Sequence, residues 1–226
     1  MRKILQIAIL IAGATGCGLS ARADTAVQIG GAYALMNKPA AAVAGSVILV
    51  PGGDGVLGVQ PDGSFSSLKG NQLVRTRKAY SAQGLASLTI DSGVNLAAAV
   101  KFMQTVAAPV TIVATSRGSL RVAGGLSAKP SAIVLTSAFL DDVKGAVGTP
   151  SALPRTLVVH HRQDGCKKTP PTAVDPFKAW GGAKVSVSWI TGGTDQGDPC
   201  QARGYHGFAG QDAAVVSIVS TFAKSR

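Results

Sequence analysis

Ser116 stands where two kinds of sequence meet. The preceding run, Val110-Thr-Ile-Val-Ala-Thr115, is β-prone, and a helix-like segment begins at Gly118. Ala114 lies two places before the serine and Gly118 two places after it. This arrangement suits a nucleophile elbow, in which a strand turns sharply into a helix with a strained serine at the apex. The flanking backbones nearly touch in such a turn, so both flanking positions must be small. The commoner pattern has glycine at the first of them; here it is Ala114. A serine hydroxyl is a weak nucleophile and needs a base to take its proton. An imidazole near neutral pKa can take that proton and return it to a leaving group. A carboxylate then fixes the imidazole tautomer and stabilises the imidazolium.

The chain has three histidines, and all eleven of its acidic residues are aspartates. His206, in Tyr205-His-Gly-Phe208 ahead of the last helical stretch, is the candidate base. Asp164, a few residues beyond a strand-like run, is the first candidate for the acid. Asp141 and Asp142 after the preceding strand, and Asp198 near His206, remain alternatives. His160 and His161 fall at a strand end and are expected to shape the pocket or pack the core. With Gly52 and Asp54 they complete the candidate substrate contacts. Pro51-Gly-Gly-Asp-Gly55 can bring backbone N–H groups together without side chains in the way, although an ordinary glycine-rich turn would read the same. Its spacing does not match Gly-x-Gly-x-x-Gly, so a dinucleotide site is a poor fit. No histidines and carboxylates stand at metal-ligand spacing, so neither a metal nor an organic cofactor is expected.

These residues need a frame. Strand-like runs recur at Ser46–Val50, Ala86–Ile90, Val110–Ala114, Ala132–Leu135, Thr156–His160 and Val185–Ile190. Several are apolar throughout, as central strands covered on both faces are. Helical patterns lie between them at 71–83, 94–106, 118–126 and 176–180, and a last one at 212–224 opens on Asp212 as a capping residue. Thr25–Met36 reads as short edge strands. Strand alternating with helix predicts an α/β fold built on a mainly parallel sheet, with helices on both faces in three α/β/α layers. Reactive groups in such sheets gather beyond the carboxyl ends of the strands, which is where Ser116, Asp164 and the Pro51–Gly55 turn fall.

The N-terminus reads as an export signal. Arg2 and Lys3 precede an apolar stretch from Ile4 to Leu19, and Ala21-Arg-Ala23 offers small residues before a cut at Asp24. Residues 1–23 are therefore expected to be cleaved, leaving 24–226 as one domain. A retained anchor fits less well, because the apolar run is short for a span of about 20 residues and is broken by Gly and Thr. Lipidation at Cys17 fits poorly too, with Ala14-Thr-Gly16 before it. Without the leader the chain carries 19 basic against 11 acidic residues, a net charge of +8. The basic residues are scattered, with Arg75-Thr-Arg-Lys78 and Lys167-Lys168 the tight groups and no interleaved aromatics. That argues against nucleic acid and for a soluble, anion-attracting surface, with no stable membrane insertion. Cys166 and Cys200, an even pair in an exported chain, are expected to form a disulfide. Such a bridge would tether the segment after Asp164 to the segment before His206.

Four motifs in order, Val-Pro-Gly-Gly-Asp-Gly55, Ala114-Thr-Ser-Arg-Gly118, Val158-Val-His-His-Arg-Gln-Asp164 and His206-Gly-Phe208, resemble the α/β-hydrolase superfamily from about Ser46 to the end of the chain. The order Ser116, Asp164, His206 matches the chain order of that superfamily's triad. The resemblance implies a serine hydrolase that cleaves an ester, thioester or amide through an acyl-enzyme. It also implies an oxyanion hole formed by backbone N–H groups near Gly53 and at Arg117. The Arg117 side chain either reaches the pocket, where it would favour an anionic or polar acyl group, or stands solvated or paired with a local aspartate at the helix start. Thr136 to Arg155, where many relatives carry a helical lid, is too short for a substantial one. An open site follows, with a small-molecule or polymer ester as the expected partner rather than lipid at an interface. A peptidase or depolymerase on the same scaffold, and a binding protein that keeps the fold without turnover, are the rival readings.

Overall fold

Side chains alternate faces along a strand, so a run such as Val47-Ile-Leu-Val50 must be covered on both sides. The computed structural model, which describes residues 24–225, shows such a sheet. Its eight strands are β1 (Thr25–Ile29), β2 (Ala32–Asn37), β3 (Ser46–Val50), β4 (Ala86–Ile90), β5 (Val110–Thr115), β6 (Ala132–Thr136), β7 (Arg155–His161) and β8 (Val185–Ile190). The spatial order is β1-β2-β4-β3-β5-β6-β7-β8. The pairs from β4 through β8 are parallel, and the β1–β2 hairpin joins the β4 edge in antiparallel fashion. The expected leader, residues 1–23 with Cys17, lies outside the described residues.

Among the described residues six α-helices cover the sheet: α1 (Gln72–Arg75), α2 (Ala79–Ala82), α3 (Leu96–Val106), α4 (Leu140–Val147), α5 (Val174–Gly181) and α6 (Asp212–Lys224). On one face Ile48, Val50, Ile112 and Val158 pack with Leu96, Val100, Met103, Val143 and Phe177 of α3, α4 and α5. On the other, Val47, Leu49, Val113 and Val159 pack with Leu73, Tyr80, Val215 and Val219 of α1, α2 and α6. The alternation along β3 thus feeds two separate cores, and β3, β4, β5 and β6 are buried along their whole length. β6 leads to β7 through α4 and one 3₁₀ turn, Pro150–Ala152, so no large lid covers the strand ends.

Three elements depart from expectation. The single helix read over 71–83 is two short ones. Thr76 Oγ1 donates to the Gln72 carbonyl at 2.7 Å and Arg77 Nη1 to the Val74 carbonyl at 2.7 Å. The Gln72 carbonyl keeps its helical partner, the Thr76 N–H, at 3.1 Å, but at Val74 the Arg77 guanidinium takes the carbonyl that a continuing helix would use, and the chain turns. The segment after Ser116 is a 3₁₀ helix over Ser116–Ala128 rather than an α-helix. Runs of 3₁₀ this long are uncommon. Here Gly118, Gly124 and Gly125 weaken the α-helical alternative, and Gly125 sits so close to Leu96 and Ile112 that an added β-carbon would lie 2.8 and 2.9 Å from their side chains. Asp212 does not cap α6 with its side chain; it occupies the first turn and pairs with Arg75 instead, at 2.7 and 2.8 Å.

Candidate active site

β5 ends at Thr115, and Ser116 follows with φ at +49°, a left-handed conformation that costs a residue with a β-carbon free energy. The turn is tight, but its nearest neighbour is the end of β3 rather than Ala114 on the other side of the serine. A β-carbon on Gly118 would run into the carbonyl oxygens of both Val50 and Pro51 at the end of β3. A β-carbon on Gly52 would lie 2.9 Å from Ser116 Cβ and 3.1 Å from the Thr115 carbonyl oxygen. The strand ends of β3 and β5 are therefore in direct contact through glycine. Ser119 braces the turn from within. Its Oγ donates to the Ser116 carbonyl at 2.7 Å and accepts from the Phe139 N–H at 3.0 Å.

His206 lies in a single 3₁₀ turn, Tyr205–Gly207, between β8 and α6. Its Nε2 is 3.0 Å from Ser116 Oγ and its Nδ1 is 3.0 Å from Asp164 Oδ2. Asp164, beyond the end of β7, accepts the Cys166 N–H on its other oxygen at 2.9 Å. It is 5% exposed, as is His206, so the His–Asp contact is shielded from water while Ser116 Oγ faces the cleft. Asp141 and Asp142 sit exposed in the first turn of α4, and Asp198 is exposed and accepts the Cys200 N–H. Of the four aspartates weighed, Asp164 is the one bonded to His206.

Two residues that sequence reasoning missed complete this network. Thr169, 1% exposed, places its Oγ1 3.2 Å from Asp164 Oδ2 and 3.1 Å from His206 Nδ1. With the Nδ1 proton directed at Asp164, the threonine hydroxyl donates to the same carboxylate. Arg75 supports the base turn from outside, donating to the Gly207 carbonyl at 2.7 Å while paired with Asp212. Neither residue carries a local motif. Thr169 is brought to the site by the turn after β7, and Arg75 reaches across 132 positions to Gly207.

The expected substrate contacts divide. Gly52 and Gly53 line the cleft beside Ser116. Asp54 does not; its carboxylate folds back onto the Val56 N–H at 3.0 Å. His160 and His161 are fully buried and lie off the cleft. His161 stacks on Tyr205 at 4.3 Å and bonds the Gly192 carbonyl at 2.9 Å. His160 donates from Nε2 to the Thr169 carbonyl at 3.0 Å. Burial holds the His160 pKa below its usual value despite Asp164 3.4 Å away, so it stays neutral beneath the acid and leaves the carboxylate to His206. Both histidines therefore act through packing rather than through substrate.

Cys166 and Cys200 form the expected disulfide. Gly53, on the loop after β3, and Arg117, directly after Ser116, both line the cleft beside the serine. The cleft has a volume of about 740 Å³ and is walled by residues including Leu68, Asn71, Phe139, Lys168 and Arg203. Among the described residues no helix is long and apolar enough to cross a membrane, and no group of side chains is arranged to hold a metal ion.

No protein-family model and no curated protein matches the sequence. Solved structures do match the fold. An α/β serine hydrolase homologue from Coxiella burnetii superposes with a TM-score of 0.60 at 15% identity, covering 88% of this chain and 96% of that one. The esterase domain of a Rhodothermus marinus protein gives 0.61 at 13% identity over 85% and 92%. A serine hydrolase without a lid from Xanthomonas campestris gives 0.58 at 12% identity over 87% and 95%. With this strand order, the elbow at the end of β5, and a serine set beside a buried His–Asp pair, the chain has the α/β-hydrolase fold in a form without a large lid.

Proposed function

We propose that this chain is an exported serine hydrolase that cleaves a carboxylic ester by way of an acyl-enzyme. The observation that carries the reading is the continuous relay from Ser116 Oγ through both nitrogens of His206 to Asp164, each step 3.0 Å long. Ser116 Oγ attacks the ester carbonyl carbon as its proton passes to His206 Nε2. The negative charge that develops on the carbonyl oxygen meets the N–H groups of Gly53 and Arg117. The intermediate collapses, His206 returns the proton to the departing alkoxide, and the acyl group stays on Ser116. Water then attacks the acyl-enzyme with His206 again taking a proton, releasing the acid and regenerating the serine. Asp164 holds the Nδ1–H tautomer and offsets the charge on the imidazolium. The open cleft suits a small ester that reaches Ser116 without interfacial activation. Export of residues 24–226 as one domain rests on the leader-like residues 1–23 and on the disulfide.

The test is intact-mass analysis after treatment with a fluorophosphonate, beside a Ser116→Ala control. One adduct on the parent chain and none on the control is the expected result. Absence of an adduct on folded protein would remove the hydrolase mechanism.

The disulfide supplies a second test. Cys166 lies two residues after Asp164 and Cys200 six before His206, so the bridge ties the acid loop to the base loop. In the chain-entropy model a loop of this length contributes roughly 3–4 kcal/mol to stability. Reduction is expected to lower ester hydrolysis at temperatures where far-ultraviolet circular dichroism is unchanged. Full activity in the reduced, folded protein would show that the bridge stabilises the domain without positioning the triad.

A further inference from the structure

The walls of the cleft offer donors and positive charge, while their charged and capping acceptors are already engaged. Three cations line it, each from a different segment: Arg117 at the start of the 3₁₀ helix after β5, Lys168 directly before Thr169, and Arg203 three residues before His206. All three are exposed, and none has an ion pair or a side-chain hydrogen bond among the described residues. That contrasts with Arg75 and Arg77, whose guanidinium groups are held by Asp212 and Asp24. The carboxylate that lines the cleft, Asp198, accepts the Cys200 N–H at 2.7 Å. Asn71 turns its Oδ1 to cap the Leu73 N–H at 3.1 Å, and its Nδ2 lies 3.6 Å from where a Gly52 β-carbon would stand, on the nucleophile side of the cleft. Gln72 Oε1, which has no partner, is neutral and buried. Counting Asp198, the cleft holds a net charge of +2 around the serine.

We infer that the substrate is an ester carrying a carboxylate on its acyl or leaving group, drawn in and oriented by Arg117, Lys168 and Arg203. This rests on the hydrolase reading above and adds the substrate class to it. Free cations from three separate segments line one concave space beside Ser116. A bidentate guanidinium contact would add direction to the attraction. The net charge of the described chain acts at longer range in the same sense, raising the rate of encounter with anions. The reaction itself is unchanged: the remote carboxylate is neither made nor broken.

The experiment compares mono-4-nitrophenyl adipate with its methyl-capped twin, which differs by one negative charge at the far end. The kcat/KM ratio of anionic to neutral ester is expected to be roughly five- to tenfold at low salt, the size that a few solvent-facing ion pairs supply. It should fall toward one in about 0.5 M sodium chloride, where the screening length is only a few ångströms. In the Lys168→Gln/Arg203→Gln double variant the ratio should collapse at low salt, mainly through KM of the anionic ester. A ratio of one or less in the parent chain, or a ratio insensitive to salt, overturns the inference whether or not the double variant folds. So does turnover of neither ester by protein that still takes the fluorophosphonate. Turnover of neither together with no adduct removes the hydrolase reading itself, and equal turnover of both leaves that reading standing without the carboxylate.

Discussion

Ser116→Ala and His206→Ala are each expected to lower kcat for a 4-nitrophenyl ester by about 10⁵–10⁶-fold, and the double variant to lose little more. The equality follows from the geometry. Ser116 Oγ and His206 Nε2 are 3.0 Å apart and act on one proton, so removing either disables the same step. Asp164→Asn should cost less, roughly 10³–10⁴-fold, because the nucleophile and base remain while the tautomer is wrong. An asparagine amide placed against Nδ1 favours the form whose proton sits on Nε2, facing the serine it should accept from. Thr169 does not restore the tautomer, since its hydroxyl, which donates to that Asp164 oxygen, can rotate to accept from an amide N–H there and donate to Nδ1 instead. The measurement is steady-state kcat with circular dichroism on each variant. A His206→Ala protein that keeps more than a few per cent of parental kcat would place the base elsewhere.

How much of this site can be read from residue order depends on how local its causes are. The elbow is local: its small flanking residues, Ala114 and Gly118, lie within two positions of the serine. The sheet is nearly as local, because Val47–Val50 and Ile112–Ala114 announce burial on both faces by composition alone. Asp164 and His206 can be placed because each follows a strand or precedes a helix whose position the pattern gives. Thr169 and Arg75 cannot. Their roles arise where loops distant in the chain close on one another, and a threonine after two lysines looks like any surface turn. The same limit explains His160 and His161. Their place at a strand end was legible, but which way β7 turns them was not, and the neighbours that settle it, Tyr205, Gly192 and Trp189, come from two later segments. The split of the 71–83 helix belongs here too, since Arg77 is drawn off the helical path toward Asp24, 53 positions away.

Gly118→Ala is expected to destabilise the protein by about 3 kcal/mol or more, the upper range for overpacking, because the obstruction is backbone on both sides. The added β-carbon would meet the carbonyl oxygens of Val50 and Pro51 at the buried end of β3, and neither can retreat while β3 pairs with β4 and β5. For a domain of this size the loss corresponds to a fall in Tm of roughly 6–12 °C. Gly124→Ala provides the contrast within the same 3₁₀ segment. A β-carbon there has open space and an ordinary φ, so stability should hold or rise by up to about 1 kcal/mol as the unfolded chain loses freedom. Thermal melts of the two variants against the parent separate a steric cause from general intolerance of the segment. If Gly118→Ala melts within about 2 °C of the parent, the contact between β3 and the elbow is looser than the geometry requires. The consequence for chemistry follows from position. The carbonyls that exclude a side chain at Gly118 stand just before Gly52 and Gly53, so relieving the clash must shift the elbow away from Gly53, whose N–H we propose as an oxyanion donor. The protein that remains folded should therefore lose kcat as well, and a shift of even 1 Å at such a site can cost about 10²-fold.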